Sequence, residues 1–404
     1  MHINNFIYLA VLFAAAYGIK ALTQRLKLPE VTGYVILGVI LGTSVLKFLN
    51  TKVLDNLSDI SNIALGIISF IIGIELKFDV IKKFGKAIIS IALFESVFAA
   101  ALVTTVLYFV FHASIHLSLL LGAVASATAP AATVAVIRQF KAKGPLTSTI
   151  LAVVGIDDAF ALIIYVFAAS FVKASLSGEQ IHVTMVVVKA FLSIIEAGAI
   201  GAALAFIYVL ILRKVKSNEW IMLLLVAFIL GAIGVCELLQ VSELLAIMVF
   251  GAFVANSSAS LSMKSEKIME GFSPIFLAAF FILGGAHLDF RSITVVGITG
   301  ILYFGLRTAG KIGGAALGAV VGGAPKTVKK FIGFALLPQV GVALALALAI
   351  NKDFNLPVFG EKGKFIASSV INILLFTTII TEIVGPLLTK RVLLKSGEAG
   401  QRKD

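Results

Sequence analysis

The chain alternates long apolar stretches with short breaks that contain charged residues, glycine or proline. Most stretches have about 20 residues, the length that an α-helix needs to cross the hydrocarbon core of a bilayer. Dividing the chain at these breaks predicts about thirteen membrane-spanning helices. They cover residues 5–24, 30–48, 58–75, 87–111, 117–137, 148–172, 184–212, 219–239, 242–258, 271–288, 294–321, 331–350 and 365–389. The pattern predicts an all-α polytopic membrane protein that lies in the cell membrane.

Composition agrees with this class. Hydrophobic residues make up 60% of the 404 residues and charged residues 13%, whereas soluble domains have about 25% charged residues. The single cysteine excludes a disulfide scaffold and a multi-cysteine metal centre. The sequence has no Walker lysine loop, GxSxG elbow or HExxH motif, so neither an enzyme nor an ATP-driven pump is indicated and no cofactor is expected.

Basic residues set the expected orientation. Lys and Arg concentrate in the breaks that follow the odd-numbered spans, and cytoplasmic loops are the ones that collect them. This predicts an external N-terminus and a cytoplasmic C-terminus, with residues 392–404 as a cytoplasmic tail. The net charge of +12 is then explained by loops that face anionic lipid, so no nucleic-acid partner is inferred.

Three pairs of segments reveal an internal duplication. LPEVTGYVILGVILG resembles VSELLAIMVFGAFVA, FIIGIELKF resembles ILGGAHLDF, and ATAPAATVAVI resembles ALLPQVGVALA. The matched positions are Glu30 and Glu243, Gly73 and Gly285, and Pro130 and Pro338, which lie 213, 212 and 208 residues apart. Seven predicted helices separate the copies, and this odd number makes the second copy enter from the opposite side. Such inverted repeats are typical of secondary transporters. We place the repeats at residues 1–183 and 219–391, joined by a linker helix at 184–218.

The two matched prolines predict interrupted helices. Proline in a helix interior removes a backbone hydrogen bond and clashes with the preceding turn. Irregular backbone at membrane depth is tolerated where it is buried in protein or lines a cavity, and symmetric interruptions mark transport sites. The alternative is a simple proline kink. Polar residues that could support a site at the breaks are Ser126, Thr128 and Thr133 near Pro130, and Gln339 beside Pro338.

Asp157 and Asp158 lie side by side in the apolar stretch VVGIDDAFALIIYVFAA. One Asp at the centre of a membrane helix costs at least about 2.5 kcal/mol, so an adjacent pair needs water, a counter-charge or a bound cation. The alternative is that the pair lies in a loop or at a helix end. We favour a site for cations and protons.

Two basic residues also fall inside a span. Arg307 and Lys311 are four residues apart and therefore share one face of a helix. Either side chain could instead extend to the membrane interface, although Lys311 is deep in its span. Glu95, near the middle of another span, could orient the site or serve only in packing.

The chain resembles the monovalent cation:proton antiporters. The likeness is to the paired-aspartate branch, which includes bacterial sodium/proton antiporters and the membrane domains of glutathione-gated potassium efflux systems. The segments that carry it are LPEVTGYVILGVILG, FIIGIEL, ATAPAATVAVI, GIDDA, RTAGK and LLPQVGVALALA, in the family's order. The resemblance implies a 13-helix fold with crossed broken helices and a homodimer. It also implies a core transport domain from spans 3–6 and 10–13, a dimerisation domain from spans 1–2 and 7–9, and elevator-like alternating access.

The resemblance also suggests roles for single residues. Asp158 matches the aspartate that binds the transported cation and proton, and Asp157 matches its paired acid. Thr128 matches a cation ligand in the first break. Lys311 matches the basic partner of the empty site, while Arg307 could instead match the arginine of the electroneutral branch, so the basic partner stays open.

The expected function is therefore exchange of a monovalent cation for protons, with both competing for Asp157 and Asp158. The electroneutral branch reads Thr-Asp-Pro at the break, whereas residues 128–130 read Thr-Ala-Pro, which favours an electrogenic transporter. Na⁺ is the expected ion and K⁺ stays open. A sodium-coupled symporter of small solutes and a cation channel are the alternatives.

Overall fold

The computed structural model describes residues 4–26, 30–129, 133–134, 136–137, 140–177, 183–215, 217–239, 241–288 and 290–399. Within these ranges all of the regular secondary structure is helical. The first helices are α1 (Asn5–Leu26), α2 (Glu30–Leu41), α3 (Thr51–Asn56), α4 (Ser58–Glu75), α5 (Phe78–Phe109), α6 (Ile115–Ser126), α7 (Pro145–Leu176) and α8 (Val183–Leu212). The remainder are α9 (Asn218–Leu239), α10 (Glu243–Ser257), α11 (Ala259–Ala286), α12 (Phe290–Val321), α13 (Lys326–Ala335), α14 (Gly341–Phe354), a 3₁₀ turn (Pro357–Phe359) and α15 (Gly360–Lys395).

Eight of the described helices are long and apolar enough to cross a membrane, and α2, α6 and α10 are shorter apolar helices. The chain is therefore a multi-pass membrane protein, as its apolar pattern predicted. The number of thirteen crossings and the sides on which the termini lie stay predictions.

Several predicted helix boundaries differ from the observed ones. The span predicted at 30–48 ends as a helix at Leu41, the one predicted at 87–111 begins at Phe78, and the one predicted at 117–137 is interrupted after Ser126. Residues 331–350 were predicted as one span but contain the end of α13, an irregular segment and the start of α14. The span predicted at 271–288 begins twelve residues earlier, at Ala259. Its first turns contain charged residues, which a search for continuous apolar sequence leaves out.

The order of the helices repeats along the chain. Asn5 and Asn218, which begin α1 and α9, are 213 residues apart, and Phe78 and Phe290, which begin α5 and α12, are 212 apart. The first residues of α2 and α10, α4 and α11, α6 and α13, and α7 and α15 are 213, 201, 211 and 215 residues apart. The helix order thus follows the duplication seen in the sequence.

The helices assemble into two compact units. One contains Met1–Phe78 and Val187–Leu288, and the other contains Asp79–Val186 and Asp289–Asp404. Helices α4 and α11, which the resemblance places in the transport domain, belong to the first unit. The assignment of transport and dimerisation domains stays a prediction.

Reciprocal glycine contacts hold the first unit together. A Cβ atom at Gly38 of α2 would lie 2.1 Å from the carbonyl oxygen of Ile282 in α11. At the equivalent Gly251 of α10, a Cβ would lie 2.5 Å from the carbonyl oxygen of Phe70 in α4. Small residues let membrane helices approach until their backbones touch. The same contact between a glycine and a carbonyl oxygen therefore occurs twice, once with the glycine in the first repeat and once with the glycine in the second.

Candidate functional site

Two helices in the second unit are interrupted where they meet. Helix α6 ends at Ser126 and is followed by extended backbone, and the segment between α13 and α14 is also irregular. The amide of Ala129 donates a hydrogen bond of 2.9 Å to the carbonyl oxygen of Pro338. The Thr133 hydroxyl donates to the Ala335 carbonyl oxygen at 2.9 Å. These bonds join the two interruptions, as expected for crossed broken helices, while Pro130 lies outside the described residues.

Each interruption leaves carbonyl groups that no longer accept an intrahelical hydrogen bond. Gln339 adds a donor at the end of α6, because its Nε2 donates at 2.9 Å to the Val124 carbonyl oxygen, which also accepts from the Ala127 amide at 3.3 Å. The same nitrogen lies 2.9 Å from the Tyr303 hydroxyl, which the sequence analysis did not single out. The C-terminal ends of α6 and α13 carry partial negative charge, which favours cations beside them.

Arg307 links the two interruptions. Its Nη1 donates to the carbonyl oxygen of Leu337, and its Nη2 donates to that of Ala127, both at 2.8 Å. The side chain is completely buried, so it does not extend to an interface. One guanidinium group thus neutralises the carbonyl ends of both broken helices. Arg307 therefore supports the backbone of the candidate site.

Lys311, one turn further along α12, contacts three oxygen atoms. Its Nζ donates to the Ser126 carbonyl oxygen and, at 2.8 Å, to the Thr128 hydroxyl. The same nitrogen forms an ion pair with the Glu95 carboxylate, and both of these charged side chains have no exposed surface. The ammonium group is therefore enclosed by oxygens at the first break, where the sequence predicted a cation ligand at Thr128.

Close packing of α5 against α12 brings Glu95 to this position. A Cβ atom at Gly314 would lie 2.5 Å from the Phe94 carbonyl oxygen, and one at Gly310 would lie 2.7 Å from the backbone of Ala99. The two backbones are therefore in contact where the charged residues lie. The Ser96 hydroxyl donates to the other Glu95 oxygen at 2.9 Å. Glu95 therefore reaches the candidate site through its ion pair with Lys311.

The aspartate pair lies in the middle of α7 and not in a loop or at a helix end. Asp157 has no exposed surface and Asp158 is 5% exposed. Neither carboxylate oxygen of Asp157 accepts a hydrogen bond of normal geometry from the residues that the structure describes. Asp157 interacts electrostatically with Glu95 and Lys311 and lies beside Thr128. Because adjacent residues on a helix do not face each other, Asp158 points in a different direction.

Glu95, Asp157, Arg307 and Lys311 lie together near the first break, and Asp158 adjoins Asp157 in α7, so the described residues of this region include three acidic and two basic groups. All five are buried. A buried charge that lacks compensation is strongly unfavourable. If all five groups are ionised, one negative charge remains, and a monovalent cation or a proton could neutralise it.

Comparisons with known proteins point to one family. The family model described as "Sodium/hydrogen exchanger, transmembrane" matches residues 9–395. The probable Na⁺/H⁺ antiporter GerT of Bacillus cereus is 25% identical over 346 residues, which are 81% of this chain and 85% of that protein. The Na⁺/H⁺-K⁺ antiporter GerN of the same organism is 24% identical over 402 residues, 96% of each chain. The solved structure of the sodium proton antiporter MjNhaP1 from Methanocaldococcus jannaschii at pH 8 has a TM-score of 0.80, 18% identity, and coverage of 97% and 98% of the two chains. That likeness confirms the fold.

Proposed function

Because the chain belongs to the family of transmembrane sodium/hydrogen exchangers, we propose that it exchanges Na⁺ for protons at the crossing of its two interrupted helices. It is a secondary transporter and not an enzyme. The observation that carries the site assignment is the position of Lys311, whose ammonium group is surrounded by a carboxylate, a hydroxyl and a freed backbone carbonyl. Oxygen ligands of these kinds are the ones that hard cations prefer.

In the proposed mechanism the cation and the proton compete for Asp157 and Asp158. Deprotonation of the pair leaves negative charge at the break, and a dehydrated cation binds there with help from Thr128. Protonation of the aspartates removes the negative charge that holds the cation, and the cation leaves. Lys311 is the basic partner of the empty site, because it contacts Glu95 and Thr128. Arg307 instead donates to backbone carbonyl groups at the ends of the two interrupted helices.

The finer features of transport are further parts of this proposal. The paired aspartates and the Thr-Ala-Pro break support electrogenic exchange, in which more than one proton moves for each cation. We also propose elevator-like alternating access and a homodimer, which the resemblance implies. The name of GerN as a Na⁺/H⁺-K⁺ antiporter supports K⁺ as a second transported ion.

The test is proton efflux from proteoliposomes after addition of Na⁺ or K⁺ at pH 7 to 8.5. We expect a cation-dependent signal in the native protein that Asp158→Asn abolishes and Asp157→Asn strongly reduces. Asp59→Asn is the matched control, because Asp59 is an exposed carboxylate at the start of α4. Its signal should equal that of the native protein.

Other outcomes would point to the remaining functions. No signal with either ion, or a signal unchanged by Asp158→Asn, would contradict the proposal. Sodium-dependent uptake of a labelled solute would indicate a symporter, and unitary currents in a planar bilayer would indicate a channel. A membrane potential that changes the rate of exchange would support electrogenic transport, while indifference to potential would refute that part.

A further inference from the structure

A carboxylate from the C-terminal end of the chain caps the helix that contains the aspartate pair. Glu398 lies three residues beyond the end of α15 and is only 6% exposed. One of its carboxylate oxygens accepts a hydrogen bond of 2.8 Å from the Leu146 amide. The other accepts bonds of 2.7 Å from the amide and from the hydroxyl of Thr147. Leu146 and Thr147 are the second and third residues of α7.

The cap position of α7 itself is built to receive this carboxylate. The first amides of a helix have no intrahelical acceptor and are usually satisfied by an N-cap side chain. Here the N-cap is Gly144, which has no side chain. A Cβ atom at Gly144 would lie 2.3 Å from the Cδ atom of Glu398. Glu398 thus occupies the space and fulfils the role of the missing N-cap side chain.

Two further contacts join the same parts of the chain. The Lys143 amide donates to the backbone carbonyl oxygen of Glu398 at 3.0 Å. In addition, Lys390 of α15 lies over the ring of Phe140, with Nζ 5.1 Å from the ring centroid. We call these contacts the tail clasp: Lys390 and Glu398 on one side, and residues 140–147 on the other. The clasp rests on a buried carboxylate, a backbone bond and a cation–π contact.

The position of the clasp connects it to the site. Residues 140–144 lie between the helical residues 133–134 and 136–137, which follow the first break, and the start of α7. Thr128 therefore precedes the clasped segment and Asp157 follows it. The two groups that would share a cation are joined through the segment that Glu398 holds.

We propose that Glu398 is a positioning residue for cation exchange, which acts by fixing α7 relative to the first interrupted helix. This inference rests on the proposed antiport function. Loss of the carboxylate leaves every cation ligand in place but frees the first turn of α7. The ligands then have to be ordered when the cation binds, which weakens binding. Maximal turnover at saturating cation changes little, because no group that reacts is removed.

The experiment compares Glu398→Ala with native full-length protein. We expect the KM for Na⁺ to rise about tenfold, as is typical when groups that orient ligands are removed, while the maximal rate stays within a factor of two. The Na⁺-dependent rise in unfolding temperature should shift to correspondingly higher Na⁺ concentrations, which measures binding without transport. Hydrogen exchange of the amides of Leu146 and Thr147 should accelerate.

Two further variants keep the test decisive. Thr147→Val removes one of the three hydrogen bonds and nearly preserves shape, so it should give a smaller rise in KM even if Glu398→Ala folds poorly. Glu361→Ala is the control, because Glu361 lies at the opposite end of α15 with its side chain 90% exposed. Its KM should equal the native value.

The outcomes separate this inference from the proposed function. Faster amide exchange with an unchanged KM would show that the clasp opens without affecting the site, which overturns the inference. A lower maximal rate that only follows the loss of folded protein, with KM unchanged, would show a purely structural role and would also overturn it. If native protein exchanges ions and Asp158→Asn does not, antiport survives either result. If native protein shows no exchange, antiport itself fails.

Discussion

The buried ion pair between Lys311 and Glu95 allows a quantitative test of the site. Replacing Lys311 with Met leaves the Glu95 carboxylate buried, with the Ser96 hydroxyl as a donor but without the ammonium group. Removing one partner of a buried pair typically costs about 3–5 kcal/mol. Glu95→Gln should cost a similar amount, because it leaves the ammonium group without this carboxylate. The double variant Glu95→Gln/Lys311→Met removes both charges and should be more stable than either single variant.

The assay is thermal unfolding of the purified protein in detergent. A 404-residue chain has an unfolding entropy of about 0.85 kcal/mol/K if it follows the average for globular proteins. A loss of about 4 kcal/mol then lowers the unfolding temperature by about 5 °C in each single variant. Because the double variant should cost less than either single variant, we expect a coupling energy of more than about 4 kcal/mol in the double-mutant cycle. Additive effects, with a coupling below about 0.5 kcal/mol, would refute the inferred pairing.

The same variants also report on cation binding. In Glu95→Gln the Lys311 ammonium is expected to turn towards Asp157, which already interacts with it. A cation would then have to displace it, and the Na⁺ concentration that gives half-maximal thermal stabilisation should rise about 5- to 150-fold, the usual range for coupled sites. In Lys311→Met no ammonium competes, so Na⁺ should stabilise this variant at lower concentrations than in Glu95→Gln. Equal Na⁺ dependence in both variants would contradict competition between Lys311 and the cation.

Three other predictions follow from the site and the packing. Exchange in proteoliposomes should switch on as pH rises from 6 to 9, because the aspartates must lose protons before a cation binds; a flat profile would contradict this. Arg307→Lys should lower stability by about 1.5–3 kcal/mol in thermal unfolding, since one ammonium cannot replace both guanidinium bonds; a native unfolding temperature would disprove the bridging role. Gly73→Ala should destabilise by about 1–3 kcal/mol, because its Cβ would lie 2.1 Å from a carbonyl oxygen of α10. Gly231→Ala, with no atom within 4 Å of its Cβ, should be neutral or stabilising by up to about 1 kcal/mol; equal effects of the two alanines would refute the packing argument.

The fold was largely predictable because membrane helices must satisfy their backbone groups internally and must be apolar over a fixed length. A single sequence shows where helices that meet both requirements can lie. The interruption at Pro338 was also indicated, since proline cannot donate a backbone hydrogen bond. The duplicated segments predict two interruptions, whereas only the resemblance implied that the two interruptions cross.

Contacts between distant parts of the chain were not predictable in the same way. Glu95 and Lys311 meet because small residues let α5 and α12 touch, and periodicity within one helix contains no information about its neighbour. Glu398 belongs to a polar tail whose composition is typical of solvated residues, so its burial had no signal in the sequence. A glycine at the start of a long helix, at Gly144, is the one local hint that a cap comes from elsewhere.

Glu95 and Arg307 are 212 residues apart, the same shift that relates α5 to α12. The duplicated helices thus carry opposite charges at equivalent positions. In a transporter whose two open states arise by exchange of the conformations of its repeats, identical repeats would give both states the same intrinsic energy. Opposite charges at this position remove that degeneracy. If this chain alternates access in that way, we expect it to prefer one resting side without any ion gradient, because its two halves diverged in charge after duplication.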